Sequence, residues 1–153
     1  MATSNVSAID REEYQLIESK SATGTTITFN AFSGYKHLWL TGKAITKNSP
    51  SHIAVRPNND TTGMNYAVVR SYGTEAVFLM QDNTDASCAA SFQIFNVDKT
   101  TPKKVNSTYN TGVPGNEQDA YIDTVAVTSL VVSNYNGTST FTGGTFYLYG
   151  ILA

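Results

Sequence analysis

The sequence predicts an all-β fold, an antiparallel two-sheet sandwich that is jelly-roll-like and carries a short N-terminal arm. Three observations predict it. Apolar and polar residues alternate over short runs rich in aromatic and β-branched side chains. Clusters of Gly, Pro, Asn and Asp punctuate those runs at regular spacing. No stretch carries the 3.6-residue apolar periodicity of an amphipathic helix, and no internal repeat stands out.

Taken in order, residues 1–8 are small and polar and read as the arm, and residues 9–153 as one sandwich domain. Residues 9–13 suit one helical turn capped by Asp10. Residues 14–20 alternate as a first, edge strand, and residues 25–30 as a second with Ile27 and Phe29 facing inward. The longest candidate is 35–45, with Leu38, Leu40 and Ala44 on one face and Trp39, Thr41 and Ile45 near the other. Gly42 within it marks a bulge or a close approach. Residues 51–56 form a short strand that Pro57 ends. Residues 65–72 and 75–81 read as a hairpin about Gly73-Thr74. Residues 91–97 alternate cleanly, 103–109 suit a charged edge strand, and 111–119 form a loop. The Val-rich run 121–133 reads as one strand. The closing strand sets Phe146, Leu148 and Gly150 on one face against Thr145, Tyr147, Tyr149 and Ile151 on the other. Apolar groups on both faces predict that it is central in a sheet, or covered on both sides, and that it ties the C-terminus into the fold.

Composition narrows the function classes. Charged residues are only 14% of the 153, and Ser, Thr, Asn and Gly take their place beside nine Tyr. A neutral, hydroxyl-rich surface suits packing against neighbours. A net charge of −2 argues against a nucleic-acid partner or an acidic membrane, both of which select clustered Lys and Arg. The single cysteine, Cys88, excludes an intrachain disulfide framework. It lies in a run of small residues and reads as an inert thiol rather than a nucleophile. Residues 1–5 show no secretory signal, and no window has the length and hydropathy of a transmembrane helix.

Several stretches carry a family pattern. The ending Gly143-Gly144-Thr145-Phe146-Tyr147-Leu148-Tyr149-Gly150-Ile151 follows Val127, Leu130 and Phe141. Upstream stand Ile27-Thr28-Phe29, then Tyr35-Lys36-His37-Leu38-Trp39-Leu40, then Asn58-Asn59-Asp60 with Tyr66. Together these resemble small virion structural proteins of tailed bacteriophages, β-sandwich modules that decorate capsids or build tail fibres and baseplates. The resemblance covers most of the chain, but it consists of apolar core patterns, which speak for a fold more than for a role.

Chemical motifs are sparse. His37 and His52 are the only histidines, with no Cys/His cluster at zinc spacing. No nucleophile elbow or phosphate-binding glycine loop is present, since Gly143-Gly144 opens a strand. Glu75 with Asp82, and Glu117 with Asp119, are carboxylate pairs, but their loop settings suit solvated turns better than glycoside cleavage. Asp82-Asn83-Thr84-Asp85 and Asn58-Asn59-Asp60 offer oxygens of the kind calcium takes, without the EF-hand order, and read as turns and caps. Neither a metal nor a cofactor is expected. The candidates for surface contact or glycan stacking are Tyr109, Tyr121 and Tyr135, against the alternative that tyrosines fill sandwich corners and subunit contacts.

The resemblance and the neutral surface together imply a non-enzymatic virion protein. The first expectation is a capsid cement or decoration protein, located on the capsid surface. It would bridge major capsid protein subunits and associate with copies of itself as a dimer or trimer. The alternative is a tail-fibre or baseplate tip that binds a host glycan. A sugar hydrolase is the third class and the weakest.

Overall fold

The computed structural model describes residues 13–30, 32–62, 66–67, 78–81, 87–107, 118–135 and 137–153. The described residues form eleven strands: β1 (Gln15–Ser21), β2 (Thr26–Phe29), β3 (Tyr35–Lys47), β4 (Ile53–Pro57), β5 (Tyr66–Ala67), β6 (Phe78–Gln81), β7 (Ser87–Phe95), β8 (Lys103–Ser107), β9 (Gln118–Tyr121), β10 (Leu130–Asn134) and β11 (Phe141–Leu152). They make two antiparallel sheets, β1-β11-β3-β7-β8-β9-β5 and β2-β10-β4-β6. The fold is all-β, and the described residues contain no helix.

The sheets meet through one apolar cluster. Leu38 and Leu40 of β3, Phe92 and Ile94 of β7, and Phe146 and Leu148 of β11 come from the larger sheet. Ile27 and Phe29 of β2, Ile53 and Val55 of β4, and Leu130 and Val132 of β10 come from the smaller. Alternation places these side chains inward, and each contributes roughly 1.5–3 kcal/mol by leaving water. The predicted inward faces of β2 and β11 hold. The closing strand β11 lies between β1 and β3, in the body of the larger sheet.

Four expectations need correction. The bulge foreseen at Gly42 exists: pairing with β7 slips between Gly42 and Ile45, and Ala44 takes a φ of 52°. The extra residue reverses the phase, so Ile45 is buried and Ala44 exposed, opposite to the predicted faces. Of the hairpin expected from 65–72 and 75–81, the described residues 66–67 and 78–81 do not pair with each other: β5 pairs with β9 and β6 with β4, in different sheets. Strand β8 is internal, between β7 and β9, and its Lys103 is fully buried. The run 121–133 is not one strand; β9 ends at Tyr121, β10 starts at Leu130, and the residues between are irregular. The proposed arm at 1–8 and the helical turn beginning at residue 9 lie outside the described residues, apart from Glu13, which is not helical.

The irregular stretch is held by side chains from elsewhere. Asn58 Oδ1 accepts from the Thr128 and Ser129 N–H groups at 2.9 and 3.3 Å, and its Nδ2 donates to Ala126 O at 3.0 Å. The Asn58 N–H donates to Ser129 O, and the Val127 N–H to Val97 O, each at 2.9 Å. Lys103 Nζ donates to the carbonyls of Asp123 and Val125 at 2.8 and 2.6 Å. Backbone groups that a strand would satisfy through a neighbouring strand are shared here among one side-chain amide, one ammonium and two isolated backbone bonds, with the Val125 N–H on Asp123 Oδ1.

Candidate functional site

Of the three tyrosines singled out as contact residues, two are described: Tyr121 ends β9 in the larger sheet, and Tyr135 follows β10 in the smaller. Tyr121 is fully buried. Its hydroxyl lies 2.9 Å from Asp60 Oδ2 and 3.1 Å from Asp123 Oδ2, and Lys103 Nζ sits 6.0 Å from its ring centroid. A phenol shared by two carboxylates above a buried ammonium is a structural tie, so the surface role expected of Tyr121 is withdrawn. Asp60 completes it through Oδ1, which accepts from the Thr62 N–H at 2.8 Å, the Asx-turn use expected of the 58–60 loop. Burial pushes Lys103 below its ordinary value, partly offset by the Asp123 charge. Tyr135 follows β10 in the smaller sheet, half-buried, with its ring edge-on to His52 at 5.9 Å. Tyr109, Glu75, Asp82 and Glu117 lie outside the described residues, as do Asn83, Thr84 and Asp85. Asp119 is placed in β9. Among the described residues no group of three His, Cys, Asp or Glu could hold a metal ion. Among the described residues no helix is long and apolar enough to cross a membrane.

The feature that stands out is the outer face of the larger sheet. On β11, β3 and β7, alternation with the buried Phe146, Leu148, Leu38, Leu40, Phe92 and Ile94 turns the intervening side chains outward. Register then aligns them in rows. Leu16 stands opposite Tyr149, Tyr149 opposite Trp39, Trp39 opposite Gln93, and Gln93 opposite Asn106. The next row runs Ser19, Tyr147, Thr41, Ser91. Neither row contains a charged side chain. Leu16 is 56% exposed, and Trp39, Tyr147, Tyr149 and Gln93 are half-buried.

Four rings on this face touch in sequence. Tyr14 meets Trp39 edge-on at 5.6 Å and 65°, Trp39 meets Tyr149 at 5.7 Å and 35°, and Tyr149 stacks on Tyr147 at 6.5 Å and 25°. Such centroid distances fall within the attractive range for aromatic pairs, worth about 0.5–1.5 kcal/mol each. The Trp39 Nε1–H donates to Ser91 Oγ at 2.8 Å, which fixes the indole in its plane. Burial pushes the Tyr14 phenol above its ordinary value. Beyond these rows His37 lies edge-on to Phe95 at 5.2 Å, and its Nδ1 accepts from the Asn96 N–H at 3.2 Å. His37 therefore carries its proton on Nε2 if neutral, and it serves as an acceptor for the backbone at the end of β7.

The two central rows of this face form an open, uncharged platform of rings, amides and hydroxyls, flanked by the exposed Lys43 and Lys104. The sequence places Tyr147 and Tyr149 on one side of the closing strand, while the tyrosines it marks for glycan stacking are Tyr109, Tyr121 and Tyr135. A pocket of about 200 Å³ lies at one end of the sandwich, between Phe32–Tyr35, Val97–Asp98 and residues 126–128. Its one carboxylate, Asp98, accepts from Lys99 Nζ at 2.5 Å and is held below the usual carboxylate range by that hydrogen bond. No protein-family model, curated protein or solved structure matches the chain.

Proposed function

We propose that the chain is a non-enzymatic structural protein of a tailed-bacteriophage virion, acting as a capsid cement that bridges major capsid protein subunits. The observation that carries this reading is the open edge of the larger sheet. β1 is its outer strand, and the far edge of β1 pairs with no described strand. A neighbouring subunit can be contacted along such an edge without disturbing the core, whereas β11 lies in the middle of the same sheet. The low charge density supports the reading as well, because few charges need partners when such a surface is covered. We further read the sandwich as a jelly roll. Its support is the order β1-β11-β3-β7 set against β2-β10-β4-β6, in which β1/β2, β3/β4, β6/β7 and β10/β11 each divide consecutive strands between the sheets.

A second reading, a tail-fibre or baseplate tip that binds a host glycan, is favoured by the open aromatic face of the larger sheet. Imaging of labelled particles separates the two by position. The functional test compares particles carrying the full-length chain with particles carrying a chain that lacks residues 1–8, under heat and low salt. Cement action requires that the full-length particles keep their genome longer. Equal resistance, with label at the tail, favours the tip.

A further inference from the structure

We propose that the outer face of the larger sheet binds a neutral glycan, an extended oligosaccharide lying across β11, β3 and β7 over Tyr147, Tyr149 and Trp39. The proposal rests on reading the chain as a module that works by surface contact, and it holds for a capsid or a tail position alike.

The chemistry of the face selects the ligand. Sugar rings present C–H faces that stack on aromatic rings and hydroxyls that pair with amides and alcohols. Here three rings lie in contact in two adjacent rows, and the same rows continue into Gln93, Asn106 and Thr41. Charge excludes the obvious competitors. A nucleic acid or a sulfated polymer needs Lys or Arg beneath its anionic groups, and neither row contains one.

Geometry sets the size. Adjacent strands lie about 4.7–4.9 Å apart, so the row from Leu16 to Asn106 crosses five strands and runs about 19 Å. The platform is open, with no wall that would enclose a monosaccharide among the described residues. Binding must therefore accumulate along an extended chain. The site is also rigid before any ligand arrives. Trp39 is held by Ser91, its ring is flanked by Tyr14 and Tyr149, and all three strands are internal to the sheet. Little side-chain freedom is left to lose, which favours binding by an otherwise shallow surface.

Trp39 is the only tryptophan in the chain, so its emission reports this face alone. The experiment titrates the full-length protein with soluble neutral β-glucan, xylan and galactomannan and screens it on an array of neutral glycans. A sulfated polysaccharide serves as the charged control. The expected result is a saturable emission change with at least one neutral glycan, little altered by salt. Tyr147→Ala and Gln93→Ala should each weaken it by about tenfold, equivalent to about 1.4 kcal/mol, while both variants keep a cooperative melt; Gln93→Ala, which removes no ring contact, should leave the melting temperature unchanged. Absence of any neutral-glycan signal overturns the proposal, as does binding that both variants leave intact. Variants that lose particle incorporation or self-association while no sugar binds identify the face as a protein contact, which also overturns it. Sugar binding by a protein absent from purified particles refutes the virion reading and leaves this one standing.

Discussion

Asn58 takes the place of a neighbouring strand for residues 126–129. It holds a φ of 52°, a region that Asn tolerates and most residues avoid, and from there its amide serves two N–H groups and one carbonyl. Asn58→Ala loses the side-chain bonds and adds backbone strain, with an expected cost of about 2–4 kcal/mol. Asn58→Gly loses the bonds but keeps the conformation, so its cost should be smaller. Denaturant midpoints that fall in the order wild type, Gly, Ala check this. The turn itself was legible from Asn58-Asn59-Asp60, because those residue types favour left-handed backbone and Asx turns. The clamp was not, since its partners lie 68 to 71 residues away and no local pattern encodes them.

Lys103 shows the same limit at a buried charge. It was read as part of a solvated edge, yet it is 0% exposed and serves two carbonyls of the stretch that follows β9. Desolvation lowers its folded-state value, so the unfolded chain binds its proton more tightly. The sign follows from linkage: between the lowered folded value and the unfolded value of about 10.4, stability rises with pH. Below that window the protonated lysine weighs fully against the folded state. Relative to Lys103→Met, the wild type should therefore gain stability as pH is raised from neutrality towards about 10. Urea unfolding of both proteins across that range measures it, and a fall in wild-type stability relative to Lys103→Met as pH rises would contradict the assignment.

At the scale of elements, the pairing of β3 with β11 organises the larger sheet, and it depends on glycine where the two strands irregularly meet. Gly144 has a φ of +95°, and a Cβ there would stand 2.4 Å from the Ala44 carbonyl oxygen. That neighbour is backbone, at the bulge where Ala44 is itself left-handed, so neither side can yield cheaply. Gly144→Ala should cost about 3 kcal/mol or more, or prevent folding, as measured by thermal melts. Gly42 meets the same strand differently. A Cβ there would stand 2.9 Å from both Phe146 Cε1 and Ile45 Cγ1, so the ring fills the space that glycine leaves. Period-two alternation made β2, β3, β7 and β11 readable, because buried and exposed positions differ at every step. It failed past Gly42, where one extra residue exchanged the roles of Ala44 and Ile45. It failed again at 122–129, where valines alternate but no strand pairs with them. The aromatic face was half legible: sequence shows that Tyr147 and Tyr149 share a side of one strand. That Trp39 and Gln93 stand beside them is a matter of register between β11, β3 and β7, which one sequence does not contain.

For the whole molecule, the position of β11 turns a local deletion into a global one. Removing residues 146–153 would strip both β1 and β3 of their shared partner and take Phe146 and Leu148, each 0% exposed, from the core. Those two side chains alone account for roughly 3–6 kcal/mol of burial, against a typical total stability of about 5–15. The truncated chain should lack a cooperative melt. A soluble truncation with a sharp transition would mean that the smaller sheet and the β3–β7 pair hold the fold without it.

The charge balance of the whole chain makes the last prediction. With ten basic and twelve acidic residues in 153, and two central rows of the larger sheet free of charge, no attractive field of one sign is available to draw in a partner. Association must then come from covered area and hydrogen bonds, which salt screens little. Charge-driven contacts lose strength as the Debye length falls from about 10 Å at 0.1 M salt to about 3 Å at 1 M. Occupancy on particles, measured by quantitative mass spectrometry after equilibration at low and high salt, should therefore change less than about threefold over that range. The aromatic contact should instead respond to its own chemistry, so Tyr149→Ala should lower glycan binding equally at both salt concentrations. Release of the protein from particles at high salt would place its contacts on charged groups outside the sheet face, and would remove the low charge density as an argument for the cement role.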